Sequence, residues 1–325
     1  MLIPDYWAET TLKQKFAGKQ FTVRRFGWSE QTQEEARRNA DGRAEDAMAR
    51  LIAGEKLERS EPKIAYNGAN GLPIREQVLS RHDSAVITRN IYGARCLNTP
   101  DVLFADIDFN NSPMPGYVAQ VVAVFVLAGV AIGKFISGWG LAIALMFAAL
   151  FVGHGVAHLL FRLKQRVKGT HSQQARRRID GFLLKHPDWR VRLYQTPAGM
   201  RLLAMHRTFD PAEPEVAEFF REIEADPIYV RMCMNQHCFR ARVSPKPWRI
   251  GIKQHLKPRP GVWPINPARL PDREKWVNEY ERKSEKFASC RFIADLGNDQ
   301  VDANAEKVRV LHDQLCKSDS QMPLA

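Results

Sequence analysis

Between Tyr117 and Phe161 the chain reads YVAQVVAVFVLAGVAIGKFISGWGLAIALMFAALFVGHGVAHLLF, and Lys134 is its only residue of fixed charge. In hydrocarbon, peptide groups must satisfy one another, so a run of this kind is restricted to helices. A bilayer core about 30 Å thick takes about 20 apolar residues per crossing. These 45 residues therefore suffice for two crossings, expected at about 117–136 and 141–161, joined by the turn Ser137-Gly138-Trp139-Gly140. Lys134 lies near the end of the first crossing, where its stem can carry the ammonium to the headgroups, and Trp139 suits the same interface. After Phe161 come Arg162, Lys164, Arg166, Lys168, Arg176, Arg177 and Arg178 with no acid among them. Such a cluster belongs on the cytoplasmic side against anionic lipid headgroups. The expectation is a cell-membrane protein with two crossings and both termini cytoplasmic. A buried soluble hairpin is the alternative, but soluble helices seldom run this long without a polar face. His154 and His158 share one helical face, as packed neutral imidazoles or as a metal or proton site.

The whole chain has 325 residues, enough for two domains or for one with an insertion. Its net charge of +12 suits an anionic partner, either a membrane surface or nucleic acid. The five cysteines are odd in number and scattered, which argues against a secreted disulfide framework. The first residues carry no basic region followed by an apolar stretch, so no cleavable signal peptide is expected there.

Around the hairpin, helix and strand patterns alternate. Phe21–Ser29 alternates like a strand, and Ser29 is placed to cap a helix with a body from Glu30 to Gly54. Glu61 to Arg75 is dense in breakers and reads as loop. Ala85–Thr88 and Val102–Phe109 read as strands, as do Trp189–Tyr194 and Arg201–His206 around a turn at Thr196–Gly199. Ser172–Lys185, Pro214–Ile223, Glu274–Phe287 and Val301–Cys316 read as helices. The expected fold class is an α+β soluble domain interrupted by a two-helix transmembrane hairpin. Residues 1–112 form an N-terminal cytoplasmic α/β part and 117–161 the hairpin. Residues 162–325 form a basic C-terminal cytoplasmic α+β part, which either stands alone or completes one discontinuous domain with 1–112.

The sharpest local signal is Phe104-Ala-Asp106-Ile-Asp108-Phe109. Alternate residues of a strand face the same way, so Asp106 and Asp108 would converge. Paired carboxylates suit Mg²⁺ or Mn²⁺, which keep positions open for phosphate oxygens. A strand with an exposed acidic face has the same pattern. Asp106 and Asp108, then Thr196-Pro-Ala-Gly-Met-Arg201, then Phe292-Ile-Ala-Asp295, resemble the palm of archaeo-eukaryotic primases and primase-polymerases. The resemblance implies Asp106, Asp108 and Asp295 as catalytic metal-binding carboxylates and the middle motif as a nucleotide phosphate contact. Where that family has Gly-x-His, this chain has Gly199-Met200-Arg201; arginine clamps phosphate but does not replace histidine in every role.

From Phe239 to Arg259 there are seven basic residues and no acid. Arg240 and Arg242 alternate onto one strand face, and Lys246, Trp248 and Arg249 add charge and a stacking surface. Together with Arg201 they are candidate phosphate ligands. A loop pressed against anionic headgroups has much the same composition. Cys233 and Cys238 flank His237 at the margin of zinc-knuckle spacing, without a second ligand pair at finger-like distance, which favours buried thiols. Arg89-Asn90-Ile-Tyr92-Gly93 has the look of a site loop, equally a turn. Two function readings follow. The first is a membrane-tethered cytoplasmic binding or scaffolding domain, with the lipid bilayer as its partner. The second is a metal-dependent primase-like nucleotidyl transferase, or an inactive relative, acting on nucleotides or nucleic acid.

Overall fold

The computed structural model describes residues 1–61, 72–109, 112–259 and 261–325, leaving aside the side chains of 165, 167 and 168. The breaker-rich segment from Glu61 to Arg75 falls mostly outside these residues. In chain order the elements begin with β1 (Tyr6–Phe16), β2 (Lys19–Ser29), α1 (Gln33–Ile52), β3 (Gln77–His82), β4 (Ala85–Arg89), β5 (Arg95–Thr99) and β6 (Phe104–Asp108). The long helices α2 (Pro115–Ser137) and α3 (Trp139–Lys168) follow, then α4 (His171–Lys185). The chain continues through β7 (Arg190–Thr196), β8 (Gly199–Ala204), α5 (Pro214–Glu222), α6 (Pro227–Gln236) and β9 (Phe239–Arg242). It closes with α7 (Leu270–Ser284), β10 (Arg291–Gly297) and α8 (Ala303–Cys316). Two compact units result, one made of Met1–Ile107 with Leu183–Ala325 and the other of Asp108–Phe182.

The first unit contains three sheets. β1 and β2 form a hairpin around Ala17-Gly18, both at positive φ, as a two-residue turn compatible with strand twist requires. Helix α1 lies on it through the alanine row Ala36, Ala40 and Ala44, all fully buried. The approach is close enough that a Cβ on Gly27 of β2 would run into the Ala40 backbone, so only glycine fits there. Ser29 does not cap this helix. Its hydroxyl accepts from the backbone of Gln31 and Thr32 in the preceding turn, while the Thr32 side chain accepts from Glu35 and is the N-cap.

A second sheet has the order β3-β4-β5-β9, with every neighbouring pair antiparallel. The third has the order β10-β7-β8-β6, in which β7 pairs antiparallel with both β10 and β8. The β7–β8 register places Thr196 opposite Gly199, so Pro197-Ala198 is the turn. Strand β6, before the long helices, and β8, after them, are neighbours in this sheet. Tyr229 of α6 joins the second and third sheets: its hydroxyl donates to the Phe104 carbonyl of β6 and accepts from the Arg240 amide of β9. A proline at position 227 opens α6 at its first turn, where the absent N–H costs no helical bond.

In the second unit, α2 and α3 are antiparallel neighbours about Gly138, a single glycine at φ 84 between the two helices. Both are long and apolar enough to cross a membrane, and only 6% of the apolar stretch of α2 is buried. Phe135 is 93% exposed and Phe151 81%. The surface the two helices do share is built from small residues. A Cβ on Gly133 would lie 2.4 Å from the Ala142 Cα, and one on Gly153 would lie 3.0 Å from the Val122 Cα. Close backbone approach of this kind is how apolar helices associate where no hydrophobic effect drives them together. At the turn the Lys134 ammonium sits 4.9 Å from the centre of the Trp139 ring.

Gly133→Leu is therefore expected to destabilise the helix pair by about 1–3 kcal/mol, the usual cost of overpacking. Gly155→Leu, where an added Cβ meets nothing within 4 Å, is expected to be neutral. Thermal unfolding of the two full-length variants in the same detergent checks the difference.

Candidate functional site

On β8, alternation sends Met200 and Leu202 to one face of the third sheet and Arg201 to the other. The register aligns Arg201 with Tyr194 of β7 and Tyr194 with Phe292 of β10. Helix α8 covers this face. Its His312 ring packs 5.2 Å from Phe104 and 4.9 Å from Tyr194, and its Asp313 pairs with Arg192 of β7 at 3.2 Å. The face of the third sheet that carries Arg201 is thus covered by a helix of the same unit.

Arg201 is 1% exposed. Its Nε and Nη2 donate to the two oxygens of Asp106 at 2.7 and 3.1 Å, a bidentate pair. Its Nη1 donates to the Arg242 carbonyl at 2.9 Å and lies 3.3 Å from Nε2 of His312. Burial alone would lower the guanidinium pKa, but the Asp106 carboxylate more than offsets this, and the pKa is raised. The arginine expected to clamp a phosphate is instead the counterion of the aspartate expected to bind a metal.

The other expected site residues are dispersed. Asp295 lies on β10, three strand spacings from β6, or about 14 Å at about 4.8 Å each. It bonds Arg192 at 3.0 Å. Carboxylates that share one divalent ion bring their oxygens within about 5 Å, so Asp295 and Asp106 do not share one. Asp108 ends β6, is exposed, and belongs to the second unit. Arg240 does not face a ligand either: it is 5% exposed, and its Nη2 donates to both oxygens of Glu76 at 2.7 and 2.6 Å. Glu76 also accepts from Thr88, which accepts from Asn98, so a buried polar chain crosses the second sheet. Arg242, Lys246 and Arg249 are half-buried around the short turn Pro247–Ile250, with Trp248 exposed and its ring 5.3 Å from Tyr92. Arg89 and Asn90 are structural: Arg89 pairs with Glu281 at 2.7 Å, and the Asn90 side chain accepts from the amides of Tyr92 and Ala94. Cys233 and Cys238 are fully buried beside an exposed His237, and burial pushes the Cys238 thiol up to about 11.

The constellation that the sequence did not disclose lies under α8. Cys290, just before β10, meets His312 and Cys316, which are four apart on one face of the helix. All three are buried, with their ligand atoms within 4.8 Å of one another. Nε2 of His312 is 3.4 Å from Sγ of Cys316 and 3.9 Å from Sγ of Cys290, and its Nδ1 meets Asp313 at 3.0 Å. Burial opposes ionisation of Cys316, but contact with Cys290 and interaction with His312 and Arg201 overcome it, and its pKa falls well below the usual thiol range. The Cys290 thiol moves up, first through its contact with Cys316 and then through burial. Helical spacing offers His312 and Cys316 as neighbours, but nothing in the sequence points to Cys290.

Compared with known proteins, the chain matches no family model, no curated protein and no solved structure.

The ion pair makes an asymmetric prediction. Asp106→Ala leaves Arg201 charged, buried and uncompensated, and is expected to cost roughly 3–5 kcal/mol. Arg201→Met leaves an aspartate whose side chain is 28% exposed and can recruit water, so it is expected to cost less. Denaturant unfolding of the full-length variants, followed by tryptophan fluorescence, gives the order. A carboxylate held for metal chemistry would behave in the opposite way, its removal relieving the fold.

Proposed function

We propose that this chain is an integral membrane protein in which α2 and α3 cross the bilayer as a hairpin and hold the α+β unit at the cytoplasmic surface as a binding or scaffolding domain. The observation that carries the reading is the exposure of two helices whose outward side chains are predominantly apolar from residue 117 to residue 161. At about 25 cal/mol per Å² of apolar surface, leaving such helices in water is untenable for a stable monomer, and a bilayer removes the cost. The basic residues after α3 support the orientation. Arg162, Lys164 and Arg166 are exposed at the end of the hydrophobic span, where anionic headgroups of the cytoplasmic leaflet would meet them.

Nucleotidyl transfer is not proposed as a second reading. It needs Asp106 free for metal, Asp295 beside it and Arg201 turned toward a phosphate, whereas the carboxylates are paired with Arg201 and Arg192, and α8 covers the sheet face.

Alkaline carbonate extraction tests the proposal. The full-length chain is expected in the membrane pellet, and a chain lacking residues 117–161 in the supernatant. Release of the intact chain by carbonate would overturn the hairpin reading.

A further inference from the structure

The buried trio under α8 has no part in the tethering role, and its chemistry is distinctive. Two sulfurs and one imidazole nitrogen converge, and soft ligands of this composition select thiophilic closed-shell cations over hard ones. Zinc–sulfur bonds of about 2.3 Å and zinc–nitrogen bonds of about 2.0 Å set the edges of a tetrahedron at about 3.5–3.8 Å. The His312–Cys316 and His312–Cys290 separations of 3.4 and 3.9 Å lie within about 0.4 Å of the nitrogen–sulfur edge, about 3.5 Å. We propose that Cys290, His312 and Cys316 bind a d¹⁰ thiophilic cation, Zn²⁺ or Cu⁺, as a structural ion fastening the end of α8 to the start of β10.

Two features beyond the donor set support this. The first is the tautomer. Asp313 engages Nδ1 of His312 at 3.0 Å, which leaves the Nε2 lone pair directed to the sulfurs; this carboxylate–histidine arrangement is the usual outer support of a metal-bound imidazole. Asp313 is itself held by Arg192 at 3.2 Å and Arg309 at 3.0 Å, so the ring is braced from behind. The second is backbone anchoring on both sides of the cysteine pair. The Ser289 amide donates to the Cys316 carbonyl at 3.0 Å, and the Phe292 amide donates to the Ser318 carbonyl at 3.0 Å. Cys290 is therefore fixed against Cys316 by main-chain bonds before any ion arrives. Such preorganisation lowers the cost of closing a three-ligand site.

Arg201 is compatible with the ion. Two thiolates neutralise a dication, so its guanidinium faces a centre without net positive charge. It gives up only its 3.3 Å contact with Nε2 and keeps both bonds to Asp106 and the bond to the Arg242 carbonyl. Because all three ligands are buried, the ion is sequestered from substrate and is acquired as the unit folds.

The test uses the full chain, purified in detergent with reductant and without chelator. Elemental analysis is expected to give about one equivalent of metal per chain, zinc or copper identifying the ion. Replacement by Co²⁺ is expected to produce a near-ultraviolet thiolate-to-cobalt charge-transfer band. Cys290→Ser and Cys316→Ser are expected to drop the metal to background, whereas Cys96→Ser and Cys233→Ser retain it. If the serine variants fail to fold, the stoichiometry and the cobalt band of the unaltered chain still decide. Three results would overturn the proposal: no metal after refolding with Zn²⁺ or Cu⁺ under reductant, undiminished metal in Cys290→Ser, or a Cys290–Cys316 disulfide in the reduced preparation.

Discussion

A guanidinium taken out of water needs a countercharge and acceptors for its N–H groups, and Arg201 meets both needs with partners from three elements. Asp106 comes from the strand before the long helices, the Arg242 carbonyl from the end of β9, and His312 from α8 near the C-terminus. Because each partner is fixed by its own strand or helix, the arginine sets the distance of β6 from β8, the approach of β9 and the seat of α8 together. The Glu76–Arg240 pair does the same in the second sheet, with Thr88 and Asn98 completing its bonds. The charges that most resemble a catalytic site in the sequence are those the fold consumes in holding itself together.

The long helices obey a different constraint. They contact each other through Gly133, Ala142 and Gly153, where backbones meet, and turn leucine, phenylalanine and valine outward. A soluble helix pair would bury those outward residues. In a bilayer they need no protein partner, which is why small residues suffice inside.

Much of this was legible in the sequence, for reasons that differ by element. The helix pair and its turn were readable because an apolar run of 45 residues has almost no alternative, and Gly138 sits where the turn was expected. The β7–β8 hairpin followed from alternation around Pro197-Ala198. The first strand is not legible because Tyr6–Phe16 carries lysine, glutamine and threonine over much of its length and is largely exposed. Ser29 and Thr32 were both plausible caps, and only the helix start distinguishes them. The acidic pair is legible in the sequence, but its partner is not. Metal ligation and a buried ion pair call for the same carboxylate, and the deciding partner, Arg201, lies 95 positions away. Cys290 is 22 positions from His312, and scattered cysteines give no sign that two of them converge on one imidazole.

In the proposed topology the helix pair crosses the membrane and leaves the α+β unit on the cytoplasmic side. Single cysteines at Ser137, exposed beside the hairpin turn, and at Lys15, exposed in the α+β unit, can be challenged with a membrane-impermeant thiol reagent in intact cells. In this topology Ser137→Cys is expected to label in intact cells and Lys15→Cys only after permeabilisation. Labelling of Lys15→Cys in intact cells, or equal protection of both until permeabilisation, would contradict it.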